Sequence, residues 1–103
     1  MITVIERWTL KPEHTNDSIA IMQMMDDLVG PVAHEHPGWC EHAKFFQDQS
    51  NPQYISMIYD WKSQQLHEDI TLDEKDRLKS FIETYCDSDR TISYYKQLPI
   101  DVD

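Results

Sequence analysis

Glycine is almost absent from this chain of 103 residues, which contains only Gly30 and Gly38. Phosphate-binding loops of the P-loop and dinucleotide-binding types need several closely spaced glycines, because the backbone must approach the phosphates. A serine nucleophile elbow needs a similar glycine pair. The scarcity of glycine therefore argues against nucleotide-dependent chemistry and against this type of serine hydrolase.

Basic residues are also scarce, since 9 Lys and Arg oppose 19 Asp and Glu and give a net charge of −10. The basic residues are scattered, and this charge repels nucleic-acid phosphates and anionic lipid headgroups. No apolar run approaches the ~18 residues of a membrane span, and the first ten residues carry no secretory signal. We therefore expect no nucleic-acid partner, no membrane partner and a cytoplasmic location.

Cysteine is limited to Cys40 and Cys86. A cytoplasmic pair of free thiols is the expected state, and a disulfide is the alternative. Hydrophobic residues nevertheless make up 40% of the chain, which excludes a disordered composition. The length suits one modest core, so we expect a single domain over residues 1–103.

The hydrophobic pattern predicts the element order β-α-β-β-α-β. Alternating residues predict strands at 2–10, 39–48, 53–61 and 90–98. Helical periodicity predicts a helix at 15–29, with a kink or new turn at Pro31 that continues to residue 36. Ser63 can cap a short helix to about Ile70, and the capping-box spacing of Thr71 and Glu74 predicts a separate second helix.

This order is that of the ferredoxin-like split βαβ arrangement, an α+β fold with an antiparallel four-stranded sheet and two helices on one face. In a monomer the other face of the sheet would be exposed as a large patch that includes Ile5. A homodimer with two-fold symmetry would cover it.

Glu6 is the most informative single residue, because it alternates in phase with Val4 and Trp8 on the face predicted to point inward. A carboxylate in the middle of an apolar strand face is costly unless it is paired or protonated. Desolvation strengthens a carboxylate as a base, so Glu6 is a candidate general base. The alternatives are a structural ion pair with a His or Lys, or a position near the open edge of the pocket.

Large apolar and aromatic side chains could form a binding pocket beside Glu6. Trp8 and Trp61 could stack on an aromatic ligand, with Tyr59 on the same strand face as Trp61. Met25 belongs to a methionine stripe that could supply an adaptable wall. Ordinary core packing is the alternative for all four residues.

Histidine supplies two further candidates. His67 lies on the first turn after Trp61 and could form an acid/base pair with Glu6, or be a solvated helix residue. A second group of residues has the types of side chain that bind zinc; it comprises His34, His36, Cys40 and His42. Its spacing matches no complete zinc motif, so we expect no metal.

Three segments resemble the antibiotic biosynthesis monooxygenase superfamily. Pro37–Cys40 resembles the Pro-Gly turn that opens its second strand, and Tyr59–Ser63 resembles its strand-end Trp with a following capping residue. Leu66–Asp69 then opens the second helix as in that family. The resemblance extends over nearly the whole chain through element order and length.

The resemblance implies a homodimeric α+β barrel in which the sheets face each other and each subunit has a pocket between sheet and helices. Some members oxidise quinol-like polycyclic aromatics with dioxygen and no metal or organic cofactor, and others bind and degrade haem. Haem-degrading members have an Asn where Glu6 stands, and quinol-oxidising members have a His near Ile70 rather than at His67.

We therefore expect a cofactor-independent monooxygenase for an aromatic or quinol-like molecule. Glu6 or His67 would be the catalytic base, and Trp8, Trp61, Met25 and Tyr59 would contact the substrate. The alternative is a non-catalytic dimeric module that binds a small ligand or haem.

Overall fold

A computed structural model describes residues 1–102 of the chain. Its strands are β1 (Ile2–Thr9), β2 (Lys44–Gln47), β3 (Tyr54–Trp61) and β4 (Thr91–Tyr95), and its helices are α1 (Ser18–Glu35) and α2 (Gln64–Tyr85). The strands form one antiparallel sheet in the order β2-β3-β1-β4. The α+β, ferredoxin-like arrangement predicted from the sequence is therefore confirmed.

β1 lies at the centre of the sheet, and its alternation is as predicted. Val4, Trp8 and Leu10 are fully buried on the face that packs against the helices. Glu6 shares that face and is only 1% exposed. Both helices supply apolar side chains to the core between the layers; these include Ile21, Met25, Val29, Ile70, Leu78 and Phe81. Ile5 points to the opposite face, where it pairs with Ile58 of β3 and is half-buried.

The first helix begins three residues later than predicted, whereas its end at Glu35 lies within one residue of the predicted end. A 3₁₀ turn at Pro12–Asp17 precedes it, and the Thr15 hydroxyl donates to the Pro12 carbonyl. At the other end α1 continues through Pro31 to Glu35. A proline without a backbone donor weakens a helix, but here the helix is held by the side chains that it buries against the sheet.

The region after Ser63 is one helix, so the prediction of two helices was wrong. The Ser63 hydroxyl caps α2 by accepting from the Leu66 backbone N–H at 3.2 Å. Thr71 forms no capping box; its hydroxyl donates to the His67 carbonyl at 2.8 Å. The Glu74 carboxylate binds Arg90 instead of a helix end.

β2 is shorter than the predicted strand at 39–48. Trp39 still pairs with Trp61 as an isolated bridge, but the residues between Trp39 and Lys44 leave the ladder. In this segment the rings of Trp39 and His42 pack against His34 of α1. The chain thus turns toward the helix before it joins the sheet edge. Neither helix in the described part of the chain has the length and apolarity that a membrane crossing requires.

Candidate active site

A pocket of about 450 Å³ lies between the sheet and the helices. This volume is within the range of small-molecule sites. Most of its wall is apolar; the main apolar residues are Met22, Met25, Val29, Ile55, Met57 and Trp61. Polar side chains also reach its lining; those that one hydrogen-bonded cluster joins are Glu6, Tyr59, His67, Glu74 and Arg90.

The two carboxylate oxygens of Glu6 have different hydrogen-bond partners in this wall. Its Oε1 accepts a hydrogen bond from Nη1 of Arg90 at 2.6 Å. Its Oε2 accepts a hydrogen bond from the hydroxyl of Tyr59. β1 positions Glu6 because strand alternation points its side chain inward, and β3 places Tyr59 on the same face of the neighbouring strand.

Arg90, immediately before β4, bridges two buried carboxylates. Its Nη2 donates to Oε1 of Glu74 at 2.9 Å, and its guanidinium lies over the Trp8 ring at 5.5 Å. Burial acts to lower the pKa of Arg90, but the Glu6 and Glu74 carboxylates raise it above its ordinary value. Arg90 is therefore a permanent cation. Burial raises the pKa of Glu74, and Arg90 opposes that shift.

Tyr59 and His67 extend the cluster. The Tyr59 hydroxyl lies between Glu6 and Nε2 of His67, within hydrogen-bonding distance of both. Burial, reinforced by Glu6, raises the pKa of Tyr59 far above its ordinary value, so the phenol keeps its proton. Burial lowers the pKa of His67 to about 4, although Glu6 opposes the shift. His67 is therefore neutral at pH 7.

Five of the six residues selected from the sequence line this pocket, namely Glu6, His67, Trp61, Met25 and Tyr59. Trp8 is the exception and requires a correction. It is fully buried behind Arg90 and packs edge-on against Phe81, with ring centroids 5.8 Å apart. Because Arg90 covers one face of the indole and Phe81 contacts its edge, Trp8 supports the site from the core and does not line the pocket.

The sequence analysis did not select three residues of the hydrogen-bonded cluster: Arg90, which binds Glu6, Glu74, which binds Arg90, and Tyr94, whose hydroxyl lies 2.9 Å from Nδ1 of His67. Glu74 carried a usable signal, because it lies on the buried stripe of α2 between Ile70 and Leu78. It is a carboxylate among apolar residues, as Glu6 is. Arg90 lies in a polar connection, and Tyr94 alternates on a short edge strand, so neither had a comparable signal.

The His and Cys group near the pocket mouth does not form a metal site. No group of three or more His, Cys, Asp or Glu side chains within residues 1–102 is arranged to hold a metal ion. The rings of His34 and His42 pack edge to face, with centroids 5.0 Å apart. Cys40 and Cys86 both have free thiols in the described structure.

Comparisons with known proteins identify the fold. No family model matches the sequence, and no curated protein matches it. Among solved structures, an antibiotic biosynthesis monooxygenase is 22% identical, with a TM-score of 0.68 over 96% of this chain and 100% of that one. The ActVA-Orf6 monooxygenase of Streptomyces coelicolor, in complex with nanaomycin D, is 8% identical, with a TM-score of 0.74 over 99% of this chain and 91% of that one.

A third structure is SnoaB, a cofactor-independent oxygenase from Streptomyces nogalater. It is 9% identical to this chain, with a TM-score of 0.64 and coverage of 97% of both chains. At these identities the likeness establishes the fold alone. The ferredoxin-like α+β fold of the single chain, which the sequence resemblance implied, is thus confirmed.

Proposed function

We propose that this protein is a cofactor-independent monooxygenase that oxidises an aromatic or quinol-like small molecule with dioxygen. One observation carries the proposal: the buried carboxylate of Glu6 lies in the wall of a largely apolar pocket of about 450 Å³. A site that only holds an apolar ligand has no need of such a group, which is costly to bury. The monooxygenases that share the fold support the same reaction class.

The proposed reaction begins when Glu6 removes a proton from a phenolic or enolisable carbon acid in the pocket. The resulting anion is electron-rich and can reduce dioxygen directly. One oxygen atom forms the new carbonyl of the product, and the other leaves as water with the protons that the substrate lost. The substrate supplies every electron that dioxygen takes up, so no external reductant is needed.

The residues around Glu6 suit this role. Arg90 contacts Oε1 and gives the buried carboxylate a cationic partner. Tyr59 donates to Oε2 and fixes the direction of the carboxyl group. Apolar groups that include Met25 and Trp61 would hold a flat aromatic ligand and exclude water from the reacting anion.

A homodimer is part of the proposal, with the sheets of two subunits facing each other. Ile5 and Ile58 lie on the sheet face that the helices do not cover, and Tyr95 is 53% exposed on β4. A second copy would bury these side chains symmetrically. The partner sheet would also close the barrel behind each pocket.

The surroundings of His67 argue against the alternative of a haem-binding module. Both of its ring nitrogens are occupied, Nε2 by the Tyr59 hydroxyl and Nδ1 by the Tyr94 hydroxyl at 2.9 Å. A ligand histidine needs a free lone pair that points at the iron. The apolar wall does favour a non-catalytic binder of small molecules as a second candidate. Glu6 distinguishes this candidate from the monooxygenase, because only the monooxygenase needs a carboxylate in the pocket wall.

Oxygen uptake tests the proposal. The protein is mixed with anthrone in air-saturated buffer, and the uptake rates of wild type and Glu6→Gln are compared. The glutamine keeps the shape of Glu6 and can still accept from Arg90, but it cannot take a proton. We expect the rate to fall on the order of 10²-fold or more.

Asp60→Asn is the matched control, because Asp60 is a carboxylate of β3 on the opposite sheet face, where it accepts from Thr3 at 2.8 Å. It should leave the rate close to that of wild type. Equal rates for wild type and Glu6→Gln would contradict the role of Glu6. Binding of anthrone without oxygen uptake above the protein-free rate would favour the non-catalytic binder.

A further inference from the structure

A continuous chain of hydrogen bonds leads from Glu6 away from the pocket. It passes from Oε2 of Glu6 to the Tyr59 hydroxyl and from there to Nε2 of His67. Nδ1 of His67 lies 2.9 Å from the hydroxyl of Tyr94. Tyr94 is half-buried on β4 and is not among the residues that line the pocket. The chain therefore ends at a partly exposed side chain outside the pocket lining.

The other contact of Glu6 cannot carry protons. Oε1 binds Arg90, whose guanidinium holds its protons throughout the physiological pH range. Within residues 1–102 the other side-chain hydrogen bond of this guanidinium goes to Glu74. Proton movement to and from Glu6 through hydrogen-bonded side chains is thus restricted to the branch that begins at Tyr59.

The available protons fix the direction of every hydrogen bond in this branch. The Glu6 carboxylate, paired with Arg90, can only accept, so Tyr59 donates its single hydroxyl proton to Glu6. Neutral His67 then carries its proton on Nε2 and donates to Tyr59. Nδ1 of neutral His67 is then unprotonated and accepts from the Tyr94 hydroxyl. All three donors point toward the carboxylate.

We propose that Tyr59, His67 and Tyr94 form a proton path that equilibrates Glu6 with solvent behind the pocket. In the inward step, water gives a proton to Tyr94, Tyr94 gives one to His67, His67 gives one to Tyr59, and Tyr59 gives one to Glu6. Each of the three path residues thus gains one proton and loses one, and Glu6 becomes neutral. The reverse step returns one proton to water and restores the carboxylate. Atoms and charges balance in both directions, and no oxidant or reductant takes part.

Such a path matters when a ligand fills the pocket. Glu6 is 1% exposed even without a ligand, and His67 is equally buried. A proton that Glu6 took from a bound ligand would otherwise stay on Glu6 until that ligand dissociated. The path restores the carboxylate under the bound ligand. This use of the path rests on the proposed function, whereas the path itself does not.

Hydrogen exchange at His67 tests the path without any ligand. The rate at which the Nε2–H proton exchanges with water is measured by NMR in wild type, Tyr94→Phe and Tyr95→Phe. Phenylalanine at 94 keeps the ring that packs on His67, with centroids 5.3 Å apart, and removes only the hydroxyl. Tyr95 is the matched control, because it is the next residue of β4 and points to the other sheet face.

We expect exchange to slow at least tenfold in Tyr94→Phe and to stay unchanged in Tyr95→Phe. A merely structural role for Tyr94 has the opposite signature, because a loosened site admits water and exchanges faster. Equal or faster exchange in Tyr94→Phe, or a wild-type His67 protonated on Nδ1 alone, would overturn the proposal.

Oxygen uptake with anthrone separates the path from the proposed function. If wild type is active, Tyr94→Phe should lower kcat and leave KM unchanged. If wild type takes up no oxygen, the proposed function fails, and the exchange rates still decide whether the path exists.

Discussion

Removal of Arg90 is the most informative perturbation of the buried cluster. Arg90→Met keeps the length and the apolar stem of the side chain but leaves Glu6 and Glu74 without their cation. The two carboxylates are only 1% and 5% exposed, so water cannot replace the lost contacts. Breaking a buried ion pair by removing one partner costs about 3–5 kcal/mol, and here both partner carboxylates are stranded. We therefore expect a loss of at least that size at pH 7.

The loss should depend on pH in a defined direction. Burial already raises the pKa of Glu74, and Arg90 is the cation that opposes the shift. Without Arg90, the carboxyl group of Glu74 has a higher pKa in the folded state than in the unfolded state. At pH values between these two pKa values the folded state therefore binds more protons than the unfolded state. Stability of the variant is then greatest at low pH and falls as pH rises, so the loss relative to wild type should shrink toward acid pH.

Urea unfolding of wild type and Arg90→Met at neutral pH and near pH 4.5 measures both effects. Arg77→Met is the control, because the ion pair of Arg77 with Asp73 lies on the surface of α2 and is worth less than about 1 kcal/mol. Adding Glu6→Gln and Glu74→Gln to Arg90→Met should restore most of the loss. A loss below about 1 kcal/mol for Arg90→Met, or one that is the same at both pH values, would refute the reasoning.

Three further predictions concern the pocket and the assembly. His67→Gln removes a buried group whose pKa is lowered from 6.5 to about 4, so the stability that neutral His67 contributes is present above pH 6.5 and is lost as pH falls toward 4. The difference in free energy of unfolding between wild type and this variant should therefore shrink by about 3 kcal/mol between pH 7 and pH 4, and a constant difference would contradict it. Gly38→Ala would place a Cβ 2.0 Å from Nε1 of the buried Trp61, so we expect a loss of about 1–3 kcal/mol in urea unfolding, and an unchanged midpoint would show that the turn can move freely. Light scattering at micromolar concentration should give twice the chain mass of 12.3 kDa, and the monomer mass would exclude the proposed dimer.

The sequence predicted the part of the site that depends on alternation within single elements. Glu6 could be identified because its neighbours on β1 are apolar at every second position, which left its inward direction in no doubt once the strand was recognised. Tyr59 and Trp61 followed from the same rule on β3. The element order then gave the fold, because few topologies accommodate that order.

Partners that come from distant parts of the chain could not be predicted in this way. Arg90 reaches Glu6 across 84 positions, and nothing in its local sequence marks it as buried. Its position over the Trp8 ring is also what removes Trp8 from the pocket wall. The local capping signal at Thr71 was overridden, because the buried stripe of α2 continues through it and Glu74 is drawn to Arg90.

Isotope labelling of the product tests the central claim most directly. Chelator-treated, dialysed protein is incubated with anthrone under ¹⁸O₂, and the product is examined by mass spectrometry. A monooxygenase that uses no cofactor should place one ¹⁸O atom in each product molecule, release the other as water, and lose most of this activity in Glu6→Gln. Product formed no faster than without protein, or product whose new oxygen comes from water, would contradict the account.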